Sequence, residues 1–260
     1  MIGGGGIAQA MDTAAKPRAS ALAPLRNPTF RAIWLASLAS NFGGLVQAVG
    51  AAWMMTSITT SANMVALVQA STTLPIMVFS LASGAIADSF NRRRVMLIAQ
   101  GFMLCVSASL ALAAWLGVLS PWSLLAFTFL IGCGTALNNP SWQASVGDIV
   151  PRADLPAAVA LNSVGFNLTR SVGPAIGGAI VATAGAAAAF AVNSLSYFAL
   201  ISVLWLWRPA VPESALPRER LGSAMGAGLR YVAMSPVLLK VLLRSFLFGL
   251  TSVAVMALPP

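Results

Sequence analysis

Arg170 lies about 14 residues into a long apolar run, which puts it about 21 Å along a helix rising 1.5 Å per residue. A guanidinium at that depth in hydrocarbon is costly and needs a cavity or a partner. Ser163, Asn167 and Arg170 fall near one helix face by i,i+4 and i,i+3 spacing. A second group, Asp88, Arg92, Arg93 and Asp148, places charges at the ends of apolar runs, where they can pair across neighbouring helices. A third consists of neutral amides inside apolar runs: Asn41, Gln47, Gln69, Asn138, Asn139, Gln143 and Asn193. Such groups hydrogen-bond between helices or to a bound solute. The missing residue types decide as much. The chain has no histidine and only 6 acids, none of them inside an apolar run. General acid–base catalysis therefore lacks its usual side chains. Cys105 and Cys133 sit in apolar runs and read as small packing residues, so no metal site is expected. The available chemistry is recognition and charge pairing.

The elements that carry these residues are membrane spans. The sequence is 58% apolar, against about 45–50% in soluble domains, and 8% charged, against about 25%. A hydrocarbon core about 30 Å thick is crossed by about 20 apolar residues of helix. Six such runs are predicted: Phe30–Thr56, Met64–Ala87, Val95–Val118, Trp122–Val146, Pro156–Thr183 and Ala186–Trp207. A seventh begins at Val237. The first, third and fifth connectors carry no Lys or Arg, whereas the second, fourth and sixth do. This asymmetry puts the N-terminus and the Arg208–Tyr231 loop in the cytoplasm. Residues 1–29 read as a disordered cytoplasmic tail, 30–207 as a six-span bundle, 208–236 as a cytoplasmic loop between two halves, and 237–260 as a truncated seventh span. Trp34, Trp53, Trp115, Trp122, Trp205 and Trp207 fall near span ends, as interfacial belts do.

The net charge of +9 invites a nucleic-acid reading, but all but one of the 15 Lys and Arg lie in the tail, in alternate connectors or near helix ends. That is topogenic bias, so no nucleic-acid partner is expected. No phosphate-cradling glycine loop is present, which argues against direct use of ATP. A membrane-embedded enzyme is disfavoured by the missing histidine and paired carboxylates.

The second connector, Gly84-Ala-Ile-Ala-Asp88-Ser-Phe-Asn91-Arg92-Arg93-Arg94, has a spacing that topology alone does not require. Gly84 allows close helix approach, Asp88 ends a span, Asn91 tolerates a left-handed turn, and Arg92 and Arg93 can return to a carboxylate. It resembles motif A of the major facilitator superfamily, G-x-x-x-D-R-x-G-R-R, with Ser89 in place of the basic residue and Asn91 in place of glycine. The resemblance implies a cytoplasmic latch, Asp88–Arg93–Asp148, that stabilises the outward-facing state. In the fifth run, Gly165, Thr169, Gly173 and Gly177 recur every four residues, and Pro174 invites a kink. Packing alone accounts for this ridge. Gly173-Pro174-Ala-Ile-Gly177-Gly178 is also similar to motif C of the same superfamily, which favours export.

Further stretches, Leu25–Arg31, Ile149–Leu155 and Asn167–Arg170, are similar to the enterobactin exporter-like group, also called transmembrane secretion effectors. The implied fold is all-α: six helices forming the N-terminal half of a major facilitator fold, plus the start of a seventh. The implied function is secondary transport of a small molecule, drug-like or siderophore-like, by alternating access, outward and proton-driven, without a cofactor, in a bacterial inner membrane. Uptake by the same architecture, or a half that does not transport, are the alternatives. The implied partners are a small-molecule substrate, membrane lipid, and a missing C-terminal half or a second copy. Asn41, Gln47, Asn138 and Asn139 are the candidates for the solute cavity, joined by Asn167 and Arg170. The counter-charge of Arg170 is a substrate anion, a helix C-terminus, or an acid in the other half.

Overall fold

The computed structural model describes residues 20–208 and 221–257, and among them all regular structure is helical. Residues 1–19, 209–220 and 258–260, with the tail, loop and span expectations that fall on them, lie outside the described residues. A short 3-10 turn, Ala23–Arg26, leads into α1 (Pro28–Ile58). Then come α2 (Ala62–Ser89), α3 (Arg92–Trp115), α4 (Pro121–Ile149), α5 (Leu155–Leu206), α6 (Leu221–Met234) and α7 (Pro236–Ala257).

Each start has a local cause. Asn27 caps α1, its side-chain oxygen accepting from the backbone of Thr29 at 2.9 Å and Phe30 at 3.2 Å. The same side chain donates to the Ile149 carbonyl at 2.8 Å, which ties the start of α1 to the end of α4. Asn91 caps α3 by accepting from Arg94 N at 3.2 Å, with extended backbone (φ −62°, ψ 110°). The expected left-handed turn is therefore a helix cap. Ser120 and Ser123 form a reciprocal capping box at the start of α4.

Five helices are long and apolar enough to cross a membrane among the described residues. The last is double: α5 has 52 residues, about 78 Å at 1.5 Å each, more than twice the hydrocarbon thickness. It breaks at Gly185, where φ is 80° and ψ 170°. An added Cβ would meet nothing within 4 Å there, so backbone conformation, not space, calls for glycine. The two arms, 155–184 and 186–206, are the expected fifth and sixth spans. Part of the stretch expected as a loop between two halves, 221–234, is helical.

The helices pack as α1 along α5, α2 against α4, and α3 against both α4 and α5. Lipid offers no hydrophobic drive for such pairing, so close approach and hydrogen bonding hold it. Gly132 brings α4 against the backbone of α2: a Cβ there would stand 2.6 Å from the Thr72 carbonyl oxygen. Trp53, Trp115, Trp122 and Trp205 are exposed near helix ends, as the belt reading expects. Trp34 and Trp207 are not: Trp34 Nε1 donates to the Leu161 carbonyl, and Trp207 is buried beside Leu200 and Leu204.

Candidate functional site

α1 to α5 enclose a cavity of about 320 Å³. Asn41 and Gln47 reach it from α1 and Asn138 and Asn139 from α4, so four sequence-derived candidates meet in one space. Gln69 and Thr72 of α2, Gln100 of α3, and Thr169 and Tyr197 of α5 complete its polar wall. Val68, Met103, Ile131 and Phe166 supply apolar surface. No charged side chain lines it.

Behind the wall lies a buried hydrogen-bond network joining three helices. Gln47 Oε1 accepts from Ser107 Oγ at 2.8 Å and from Asn193 Nδ2 at 2.5 Å. Asn193 Nδ2 also donates to Tyr197 Oη at 3.1 Å. Ser107 and Asn193 are fully buried. On the other wall Gln100 Nε2 donates to Asn138 Oδ1 at 3.0 Å, which fixes the Asn138 side chain. Gln100 Oε1 and Ser83 Oγ are enclosed and have no partner among the described residues. Gln100, Ser107 and Tyr197 escaped the sequence reading. Their signal was spacing: Gln100 and Ser107 stand two turns apart on α3, and Asn193 and Tyr197 one turn apart on α5, each polar within an apolar run.

The charged group forms a different set of contacts from the one expected. Arg92 Nη1 pairs with Asp148 Oδ2 at 2.6 Å and donates to the Ala144 carbonyl at 3.0 Å. Arg93 donates through Nε to the Leu204 carbonyl and through Nη2 to the Trp205 carbonyl, both at 2.7 Å. Asp88 is exposed and makes no ion pair among the described residues. The Asp88–Arg93–Asp148 cluster is thus corrected to an Arg92–Asp148 pair, with Arg93 capping the end of α5 instead. The physical reason is the shortage of donors at helix C-termini, where the last carbonyls lack intrahelical partners. A cation also suits the negative end of the helix dipole. Gly84 faces open space, since an added Cβ would meet nothing within 4 Å, so its expected close approach is not made inside this bundle.

On the first arm of α5 the small-residue ridge packs on α1. A Cβ at Gly173 would lie 2.9 Å from Leu45 Cβ, and one at Gly177 3.1 Å from Val46 Cα. Thr169 is buried on the same ridge, while Gly178 faces open space and lies off it. Pro174 interrupts no helical dihedral; the break in α5 is at Gly185. Asn167 and Arg170 are exposed and do not line the cavity, contrary to expectation. Asn167 Nδ2 turns back to the Ser163 carbonyl at 2.9 Å. Both side chains are exposed on the surface of the arm, outside its packed ridge.

The family model described as transmembrane secretion effector matches residues 19–260. The multidrug efflux pump Tap of Mycolicibacterium fortuitum is 31% identical over 79% of this chain and 52% of its own length. The enterobactin exporter EntS of Shigella boydii is 29% identical over 81% of this chain and 50% of its own. The staphyloferrin A transporter of Staphylococcus aureus is 28% identical over 60% and 40%. The chain thus spans about half the length of the curated relatives it matches. With a family model covering almost the whole sequence, and six apolar crossings arranged around a shared cavity, the chain belongs to the transmembrane secretion effector family of the major facilitator superfamily.

Proposed function

We propose that this chain supplies one six-helix half of a secondary active transporter that exports a small molecule by alternating access. The observation that carries the reading is the uncharged cavity shared by α1 to α5, beside which Arg92, Arg93 and Asp148 tie the neighbouring helix ends together. The basic turn at Arg92–Arg94 belongs on the cytoplasmic side, and the membrane is the bacterial inner membrane. Efflux pumps and a siderophore exporter among the relatives, and the Gly173–Gly178 motif, support the outward direction.

A second six-helix body, from the same polypeptide or a second copy, completes the transporter. Its seat is the face formed by α2 and the first arm of α5. Only 11% of the most apolar stretch of α2 is buried, against 39% for α3 and for α4. Arg170 opens on that side of the bundle, and its counter-charge comes from the second body or from an anionic substrate. The described acids, Asp88, Asp148 and Asp154, all sit at helix ends, so a proton carrier at membrane depth belongs to the second body.

Inverted membrane vesicles test this. Expressed with its completing half, the protein accumulates a drug-like or siderophore-like solute, and an uncoupler abolishes the accumulation. Failure to move any solute from a panel of both types overturns transport. Accumulation that survives the uncoupler overturns proton coupling.

A further inference from the structure

Two cavity amides are held by their oxygen ends. Gln47 Oε1 is occupied by Ser107 and Asn193, and Asn138 Oδ1 by Gln100. Their nitrogens, Gln47 Nε2 and Asn138 Nδ2, donate to no described residue, and neither is among the enclosed unpaired atoms. Both residues line the cavity, so both NH2 groups open on it. In these orientations both held oxygens have donors. Reversing Gln47 alone would set its NH2 against that of Asn193. Reversing the Gln100–Asn138 pair would enclose an unpaired N–H where an unpaired carbonyl now sits, and orphaned N–H groups are the rarer of the two.

We infer that Gln47 and Asn138 are specificity-determining donors that select an uncharged solute bearing an exposed carbonyl oxygen on an apolar body. This rests on the transport reading above. The selection is chemical: the cavity holds fixed N–H donors beside apolar surface and contains no carboxylate. An organic cation entering it gives up hydration and meets no opposite charge. A carbonyl accepts from the waiting donors without giving up a full ionic shell.

The chain in lipid nanodiscs is photolabelled with benzophenone, a neutral diaryl ketone, and the label is mapped by peptide mass spectrometry. N,N-dimethylbenzamide and benzyltrimethylammonium, similar in size, then compete. Cavity labelling is expected, with the amide competing at about tenfold lower concentration than the cation, as one or two neutral hydrogen bonds allow. Gln47→Glu and Asn138→Asp each keep the held oxygen and replace the donor NH2, and each is expected to erase that preference. Size-exclusion profiles report folding, and either variant alone decides.

Absent cavity labelling, a wild-type preference below about threefold, or a preference that survives in a folded variant overturns the inference. Flux with the preference intact in the variants sinks the donor pair and leaves transport standing. A donor-dependent preference without flux does the reverse.

Discussion

Replacing Asn193 with leucine tests the cavity's supporting network. Asn193 is fully buried on the second arm of α5, and its two amide protons serve Gln47 Oε1 at 2.5 Å and Tyr197 Oη at 3.1 Å. Hydrogen bonds between helices in membrane proteins average about 0.6 kcal/mol and reach about 1.7 kcal/mol. Two lost bonds therefore cost about 1–2 kcal/mol, because leucine keeps the same branched heavy-atom frame and opens no void. Gln47 keeps Ser107 as a donor, so its oxygen is not orphaned. Gln47→Leu removes the same α1–α5 bond from the other side. In a cycle with Gln47→Leu, Asn193→Leu and the double variant, the coupling is expected at about 0.6–1.7 kcal/mol. The measurement is SDS-driven unfolding of the purified chain in mixed micelles, followed by fluorescence of its 7 tryptophans. Losses that add to within about 0.3 kcal/mol would show the two amides energetically independent and refute the network.

The charged helix ends give a ranked test. Arg93→Met loses two charge-assisted bonds to α5 carbonyls, one of them exposed, and is expected to destabilise by about 2 kcal/mol. Asp148→Asn loses a half-exposed pair worth about 0.5 kcal/mol, and Asp88→Asn stays within about 0.5 kcal/mol of wild type. In the same unfolding assay, Asp88 or Asp148 outranking Arg93 would restore the motif-based cluster. Gly177→Ala forces a Cβ to 3.1 Å from Val46 Cα and is expected to lose about 1 kcal/mol or more, while Gly178→Ala enters open space and gains about 0.5 kcal/mol from helix propensity. Equal effects at the two positions would refute the ridge. Gln100→Met gives up one bond of about 1 kcal/mol but removes an enclosed unpaired acceptor costing about 1–3 kcal/mol, so stability holds or rises. A loss above about 2 kcal/mol would mean that Gln100 Oε1 has a partner. Arg170→Ala is expected to lower vesicle uptake of neutral and anionic solutes equally, since Arg170 lies outside the cavity lining; a loss confined to anions would make a substrate its counter-charge.

Span number, the break at Gly185 and the ridge on α5 were legible because hydrocarbon thickness and helix rise leave few alternatives. So were the four cavity amides Asn41, Gln47, Asn138 and Asn139, each polar in an otherwise apolar run. Motif spacing was less informative about pairing. Asp88, Arg92 and Arg93 are close in sequence, yet Asp88 ends α2 while Arg92 and Arg93 open the first turn of α3, which packs against α4 and α5. The carbonyls at the ends of α4 and α5 were invisible as acceptors because backbone groups leave no trace in residue type. Arg170 misled for a related reason. Its depth was evident, but the cavity lining on α5 comes from Phe166, Thr169 and Tyr197, and Arg170 is exposed outside that set.

The division between full charges at the ends and neutral amides inside follows from the solvent. At the helix ends water still shares the solvation of Arg92 and Asp148, so a charged pair costs little to form and little to break. Inside the hydrocarbon the same pair would carry a desolvation penalty of several kcal/mol per ion. Amides avoid this by offering one acceptor and two donors without net charge. Gln47 uses both properties at once: its oxygen ties α1 to α3 and α5, and its nitrogen remains open to the cavity. A single amide can therefore couple what occupies the cavity to how α1 sits on α5. On the proposed function, those helices stay together while the solute comes and goes.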